Sequence, residues 1–242
     1  MEANNNTSTL GRMVSLSSHW EREADRRFAF LKCYGMMTDN MLSALDHHRF
    51  VDSDWVHVLI EHFADYYFRA LDSFTQDEAV SPRVWQLTFR AAQQSDLQLV
   101  QHLLLGVNAH INYDLVFAVV DLLTPEWKVS SPTLRAGRYQ DYCLVNEIIG
   151  RTIDEVQDEI LEHASHVMRY LDFALINFDE WVISRVITNW RDQVWNLAIQ
   201  LVTCEDEINR MNVSRKVESR ALHMANWIVG KPFFRELEFS GK

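Results

Sequence analysis

From Leu97 to Leu123 the chain reads LQLVQHLLLGVNAHINYDLVFAVVDLL, a segment too apolar to lie on the surface of a folded domain. In its middle stand Gly106, Asn108, His110, Asn112 and Asp114. Burying a polar side chain without a partner costs about 1–3 kcal/mol by mutational measures. A fold built on this segment must surround it with other elements, and it must also find partners for those polar groups.

A helix through this stretch sets His110 and Asp114 at i and i+4 on one face, with Asn108 and Asn112 as a second, adjacent row. Asp121 falls seven residues after Asp114, close to the same face. His102 lies eight residues before His110 and about 80° away around the axis, so local unwinding near Gly106 and Asn108 is needed to bring it in. A His with a carboxylate one turn away has two chemical uses. The carboxylate fixes the tautomer and raises the basicity of the imidazole, which makes a general base. Alternatively, both side chains bind a divalent metal. A third use is structural: a hydrogen-bonded polar plug that ties a central helix to its neighbours.

Only seven Gly and four Pro occur in 242 residues, which favours long helices over hairpins. The expected fold is all-α: a single-domain helical bundle of about eight to ten helices around the central helix that bears His110 and Asp114. Residues 1–18, rich in Asn and Ser, read as a loose tail, and 19–242 as one helical domain. Helical spacing marks Trp20–Tyr34, Asp54–Phe74, Tyr139–Gly150, Phe178–Thr203 and Glu205–Val229. Ser81-Pro82 reads as a helix start, and Asp96 as the cap of the central segment. Thr152 with Glu155 reads as a capping box that opens a new helix. Thr124–Gly137 holds two of the four prolines and follows the candidate site, so it is read either as a plain connection or as a lid. His62 lies beside an apolar stripe and is a further residue that could face a pocket.

Three other sets of polar residues are candidates, the first two of them set among apolar neighbours. Asp141 and Asn146 share one helix. Arg191 lies between Trp190 and Trp195, where a guanidinium can stack on a planar substrate or hold a carboxylate. Glu159, His163 and His166 share a face on a third helix, a spacing that helical-bundle metal sites use, although a solvated acidic face has the same pattern. Because unpaired buried charges are costly, the expected arrangement is one shared cluster in which Arg191 balances Asp114 and Asp141 and leaves His110 free to titrate.

Asn108 to Leu115, NAHINYDL, resembles the signature of an uncharacterised bacterial all-helical family, a domain of unknown function with an N-A-H-I-N-x-D-L core. Asp141-Tyr142-Cys143-Leu144-Val145-Asn146 is similar to that family's D-[FY]-x-x-V-N element, and Arg191 and Trp195 in WRDQVW to its C-terminal Arg/Trp helix. The resemblance spans about residues 25–200 and implies a helical fold and a shared site, without an activity. His102 to His110 also partly resembles a stretch of zinc-dependent phospholipase C and P1-type nucleases, but Gly106 stands where those enzymes carry an aspartate.

A net charge of −11 with no basic face disfavours nucleic acid as a partner. Cys33, Cys143 and Cys204 are scattered and read as reduced thiols of a cytoplasmic protein. No signal peptide and no membrane span are expected from the sequence. The residues point to a small-molecule enzyme with an aromatic-lined pocket. His110 would be its acid/base and Asp114 the orienting partner. Asn108, Asn112, Asp141, Asn146, Arg191 and Trp195 would bind the substrate. The reaction expected is cyclisation, elimination or isomerisation of an apolar or aromatic metabolite. No cofactor is required by this reading. One alternative is a metal-dependent hydrolase, its divalent ion held by His102, His110, Asp114, His163 and His166. The other is a non-catalytic binding or scaffold protein.

Overall fold

The computed structural model describes residues 8–94, 96–163 and 180–230; within these, the side chains of 151 and 153–163 and of 180–184 are left aside. Every described element is helical. In chain order these are α1 (Thr9–Arg22), α2 (Phe28–Asp46), α3 (Ser53–Gln76), a short 3-10 turn (Glu78–Val80), α4 (Arg83–Ala91), α5 (Leu99–Ala109), a π-helical turn (His110–Asp114), α6 (Leu115–Trp127), α7 (Pro132–His163), α8 (Glu180–Thr203) and α9 (Glu207–Gly230). α5, the π turn and α6 run on without a break. The all-α bundle expected from the periodicity is the observed fold.

The continuous α5–α6 rod is the axis of the molecule. α2, α3, α4, α8 and α9 all pack on it, and α7 closes over α2 and α8. By length and composition the rod could cross a membrane, but 72% of its most apolar window is buried inside the fold. Two main cores flank the rod. Val116, Val119 and Leu123 of α6 pack with Trp55, Tyr142 and Val194 on one side. Leu103 and Ala109 of α5 pack with Met13, Leu31, Tyr67 and Trp85 on the other. Tyr113, in the π turn, touches both cores.

Several boundaries differ from the sequence reading, each for a local reason. The tail does not extend to residue 18: α1 starts at Thr9, capped by the Ser8 hydroxyl, and buries Met13, Ser17 and Trp20. The helix expected over Trp20–Tyr34 is broken at Ala24, whose φ of 56° turns the chain between α1 and α2. Gln98, not Asp96, caps α5, and Gln101 completes a capping box. Thr152 opens no helix: its hydroxyl bonds back to the Ile148 carbonyl inside α7, which runs through Gly150. The stretch Thr124–Gly137 is not a lid. α6 continues through Pro125 to Trp127 and α7 begins at Pro132, so only residues 128–131 connect them.

α7 also fixes the entry to α3. Both Asp141 oxygens accept backbone N–H groups, from Val51 at 2.7 Å and Asp52 at 2.9 Å. Asp52 in turn caps α3 through the Trp55 amide and receives Arg138 Nη1 at 2.6 Å. Arg138 reaches Glu126 at the end of α6 as well. One buried guanidinium thereby ties α3, α6 and α7 together.

Gly106 lets α2 approach the rod. A Cβ there would lie 2.3 Å from Phe30 Cγ, an impossible contact. Gly106→Ala is expected to force the Phe30 ring out of its seat and lower stability by about 1–3 kcal/mol, as overpacked cores do. Urea unfolding measures this, and an unchanged midpoint would show that α2 can shift freely.

Candidate functional site

The π turn carries the pair that the sequence singled out. His110 Nδ1 lies 2.9 Å from Asp114 Oδ2, and both side chains are almost wholly buried. A π turn adds a residue to the helix and displaces side chains from the regular α-helical positions, and such turns recur at functional sites. Asp114 has a second partner that the sequence did not reveal. Trp85 of α4 donates its indole N–H to Asp114, 2.9 Å from Oδ2 and 3.1 Å from Oδ1.

Aromatic rings enclose the imidazole. Phe63 of α3 stacks on it with centroids 3.6 Å apart and planes 6° apart, and Tyr34 of α2 meets it edge-on at 4.4 Å. Phe30, Tyr67 and Trp85 stand further out. In this setting burial pushes the Asp114 carboxyl well above its usual range, against the indole donor, and pushes the His110 imidazole well below its own. Both effects disfavour net charge on the pair. The favoured state has one proton between Oδ2 and Nδ1 and a second on Nε2, because an imidazole that accepts at Nδ1 carries its hydrogen at Nε2. That Nε2 is buried and has no hydrogen-bond partner among the described residues.

His110 forms part of the wall of a cavity of about 350 Å³. The other walls are mostly aliphatic and aromatic, including Met37, Met41, Leu59, Ile60, Leu103 and Ile111. Half-exposed Trp227 of α9 and Val186 of α8 belong to the same lining. On its other side Asp114 borders a separate outer pocket with Tyr66, Arg69, Tyr113 and Phe117.

Arg191 also lines the apolar cavity, but it does not join the His110 pair. Its Nε donates to Asn146 Oδ1 at 2.7 Å and its Nη2 to the Tyr142 carbonyl at 2.8 Å, with the guanidinium 4.2 Å over the Tyr142 ring. Burial lowers its affinity for the proton relative to an ordinary arginine. The single cluster expected from the sequence is therefore corrected to two polar spots on one apolar cavity. Asp141 borders the cavity too, yet its oxygens are committed to the start of α3.

Other candidates are placed elsewhere. Asn108 and Asn112 do form an adjacent row, Asn112 donating to Asn108 Oδ1 at 3.0 Å, but Asn108 then donates to the Ala221 carbonyl of α9. They dock α9 and do not line the cavity. Trp195 packs on Tyr142 and Tyr139 in the core, while Trp190 takes the cavity wall. His62 faces outward and pairs with Asp121, which also receives the Tyr66 hydroxyl. His102 stays apart from His110, with Nε2 3.5 Å from Arg26 Nη1. Among the described residues no three His, Cys, Asp or Glu side chains are grouped to hold a metal ion. The His163 side chain and all of Glu159 beyond its backbone lie outside what is described, as does His166.

Fold and site together define a class: a helical bundle whose central helix turns π-helical where it presents a buried His–Asp pair to an apolar cavity. A family model, the family of unknown function DUF5995, matches residues 7–231, and the chain belongs to that family. No curated protein and no solved structure matches it.

Burial, reinforced by the neighbouring Arg26 guanidinium, lowers the His102 pKa to about 4. The unfolded chain, with an ordinary histidine near 6.5, therefore takes the proton first as the pH falls. The contribution of His102 to stability is complete above about pH 6.5 and is lost toward pH 4, with a limiting slope of about 1.4 kcal/mol per pH unit. In urea unfolding at pH 7, 6 and 5, wild type should lose more stability than His102→Gln. Parallel curves would mean that His102 titrates normally in the fold.

Proposed function

We propose that the protein is a small-molecule enzyme that moves a proton on an apolar substrate held in the cavity, with His110 as the acid/base and Asp114 as its proton partner. The observation that carries this reading is the orphaned His110 Nε2. A polar plug at the centre of a fold is expected to satisfy its members, because each unpartnered buried donor costs about 1–3 kcal/mol. Asn112 Oδ1, Trp55 Nε1 and His102 Nδ1 are also buried without a partner among the described residues. In His110, however, one ring nitrogen is fixed by a carboxylate while the other has no described partner, on a ring that lines the cavity.

The chemistry follows from the proton count. With Nε2 protonated and Nδ1 bonded to the Asp114 acid, the imidazole can give its Nε2 proton to a substrate atom while taking the carboxyl proton at Nδ1. The charge then left on Asp114 is stabilised by the Trp85 N–H. The reverse sequence removes a proton from the substrate. Asp114 borders the outer pocket, which supplies a route for proton exchange that does not wet the apolar cavity. Cyclisation, elimination and isomerisation all use such a step, and a positioned acid or base contributes about 10²–10⁴-fold. Nε2 is closed over in this structure, so ligand entry must shift the rings around it, Tyr34 or Phe63 first.

A panel of apolar ketones, alkenes and carboxylic acids incubated with the protein in D₂O tests the reading. The expected result is deuterium in at least one recovered compound, detected by mass. His110→Gln and Asp114→Asn should each cut the uptake about 100-fold or more while thermal unfolding stays cooperative. Uptake that survives His110→Gln, or a protein that exchanges no compound in the panel, would favour a non-catalytic binding role for the cavity.

A further inference from the structure

Resting on that reading of the cavity, we infer that its ligand is an amphipathic carboxylic acid, its apolar body filling the cavity and its carboxylate gripped by Arg191. Arg191 is 4% exposed, and a charge so deeply buried ordinarily has an anion beside it. Among the described residues no carboxylate forms an ion pair with it. Its hydrogen bonds go to an amide oxygen and a main-chain carbonyl, and its stacking partner is a phenol ring. Asp192, its exposed neighbour on α8, acts on it electrostatically but makes no ion pair with it, and Tyr142 is a phenol that burial keeps neutral. Asp141, which borders the cavity, is turned to the backbone of Val51 and Asp52.

The free donors suit a bidentate anion, and the rest of the wall favours a carboxylate. A guanidinium has five N–H groups, and two are used here, one on Nε and one on Nη2. Among the described residues no partner takes the hydrogens of Nη1 or the second of Nη2, which leaves donors on both terminal nitrogens for a bidentate carboxylate. A phosphate would need further donors. The hydroxyls of Thr38 and Thr152, which share the cavity, are already turned to the Tyr34 and Ile148 carbonyls of their own helices, and the unpartnered Trp55 N–H on the same lining is a single donor. The remaining walls of methionine, leucine, isoleucine and valine suit an alkyl or terpenoid body, with no polar groove for a sugar or nucleotide.

Titration calorimetry on the full chain with decanoate, 1-decanol and decylamine, and with 2-naphthoate against 2-naphthol for a ring-shaped body, separates the two ideas. The expected result is that the acid of a matched set binds at least tenfold tighter than the alcohol and that the amine does not bind. Arg191→Met should remove that preference while leaving the affinity for the alcohol within about twofold. Arg191→Lys should keep the preference for the acid, and it decides the matter if Arg191→Met does not fold. Equal binding of acid and alcohol by wild type overturns the Arg191 anchor and leaves the cavity as a site for neutral ligands. Failure of every probe to bind overturns the cavity reading, and the carboxylate with it.

Discussion

The contact between His110 and Asp114 is the constraint around which the rest of the molecule is arranged. A carboxylate at the centre of a helical bundle is tolerated only if it is neutralised or surrounded by donors. Asp114 has both, burial that holds its carboxyl toward the neutral form beside His110 and the N–H of Trp85. To bring those groups together, α4 must present Trp85 from one side of the rod, and α2 and α3 must bring Tyr34 and Phe63 onto the imidazole. Phe30 completes that wall only because residue 106 has no side chain. The aromatic richness of the chain is thus concentrated where it excludes water from one pair of titratable groups.

The second determinant is the network on α7. Asp141 looked like a site residue because it is an acid set among apolar neighbours. Its actual work is to satisfy two amides at the turn into α3 and so to aim Phe63 at His110. Arg138, which nothing in the sequence pattern sets apart, is one of the most buried charges described and binds three elements together. The asymmetry is general. A burial pattern shows that a polar group turns inward, whereas its partner is set by tertiary geometry.

This also accounts for how much was legible. Helix content and the central position of Leu97–Leu123 follow from periodicity and from the scarcity of Gly and Pro. The His110–Asp114 contact follows from i,i+4 spacing, which the π turn preserves. Trp85 could not be read as a partner, because nothing in the order of residues says that α4 lies against the π turn. Asn108 and Asn112 were correctly paired with each other, yet the carbonyl that takes their chain of bonds belongs to Ala221, 113 residues away. Turn positions were the least legible. Ala24 adopts a left-handed φ without being Gly or Asn, and Pro125 is carried in the last turns of α6.

The separation of Arg191 from His110 sharpens the functional argument. A shared cluster would have satisfied its own charges and left little for a ligand to do. The polar spots on the wall of one apolar cavity leave unmet demands among the described residues, an anion for Arg191 and an acceptor for His110 Nε2, with the unpartnered Trp55 N–H on the same lining. Solvent meets neither demand well, since the lining is so poor in polar groups. A single molecule with an anionic end and a reactive apolar body meets both, and binding at Arg191 would fix which of its atoms lies beside the imidazole. On the proposed reading the guanidinium therefore sets position and the His–Asp pair sets chemistry, a division that the sequence pattern, with all its polar residues drawn into one cluster, concealed.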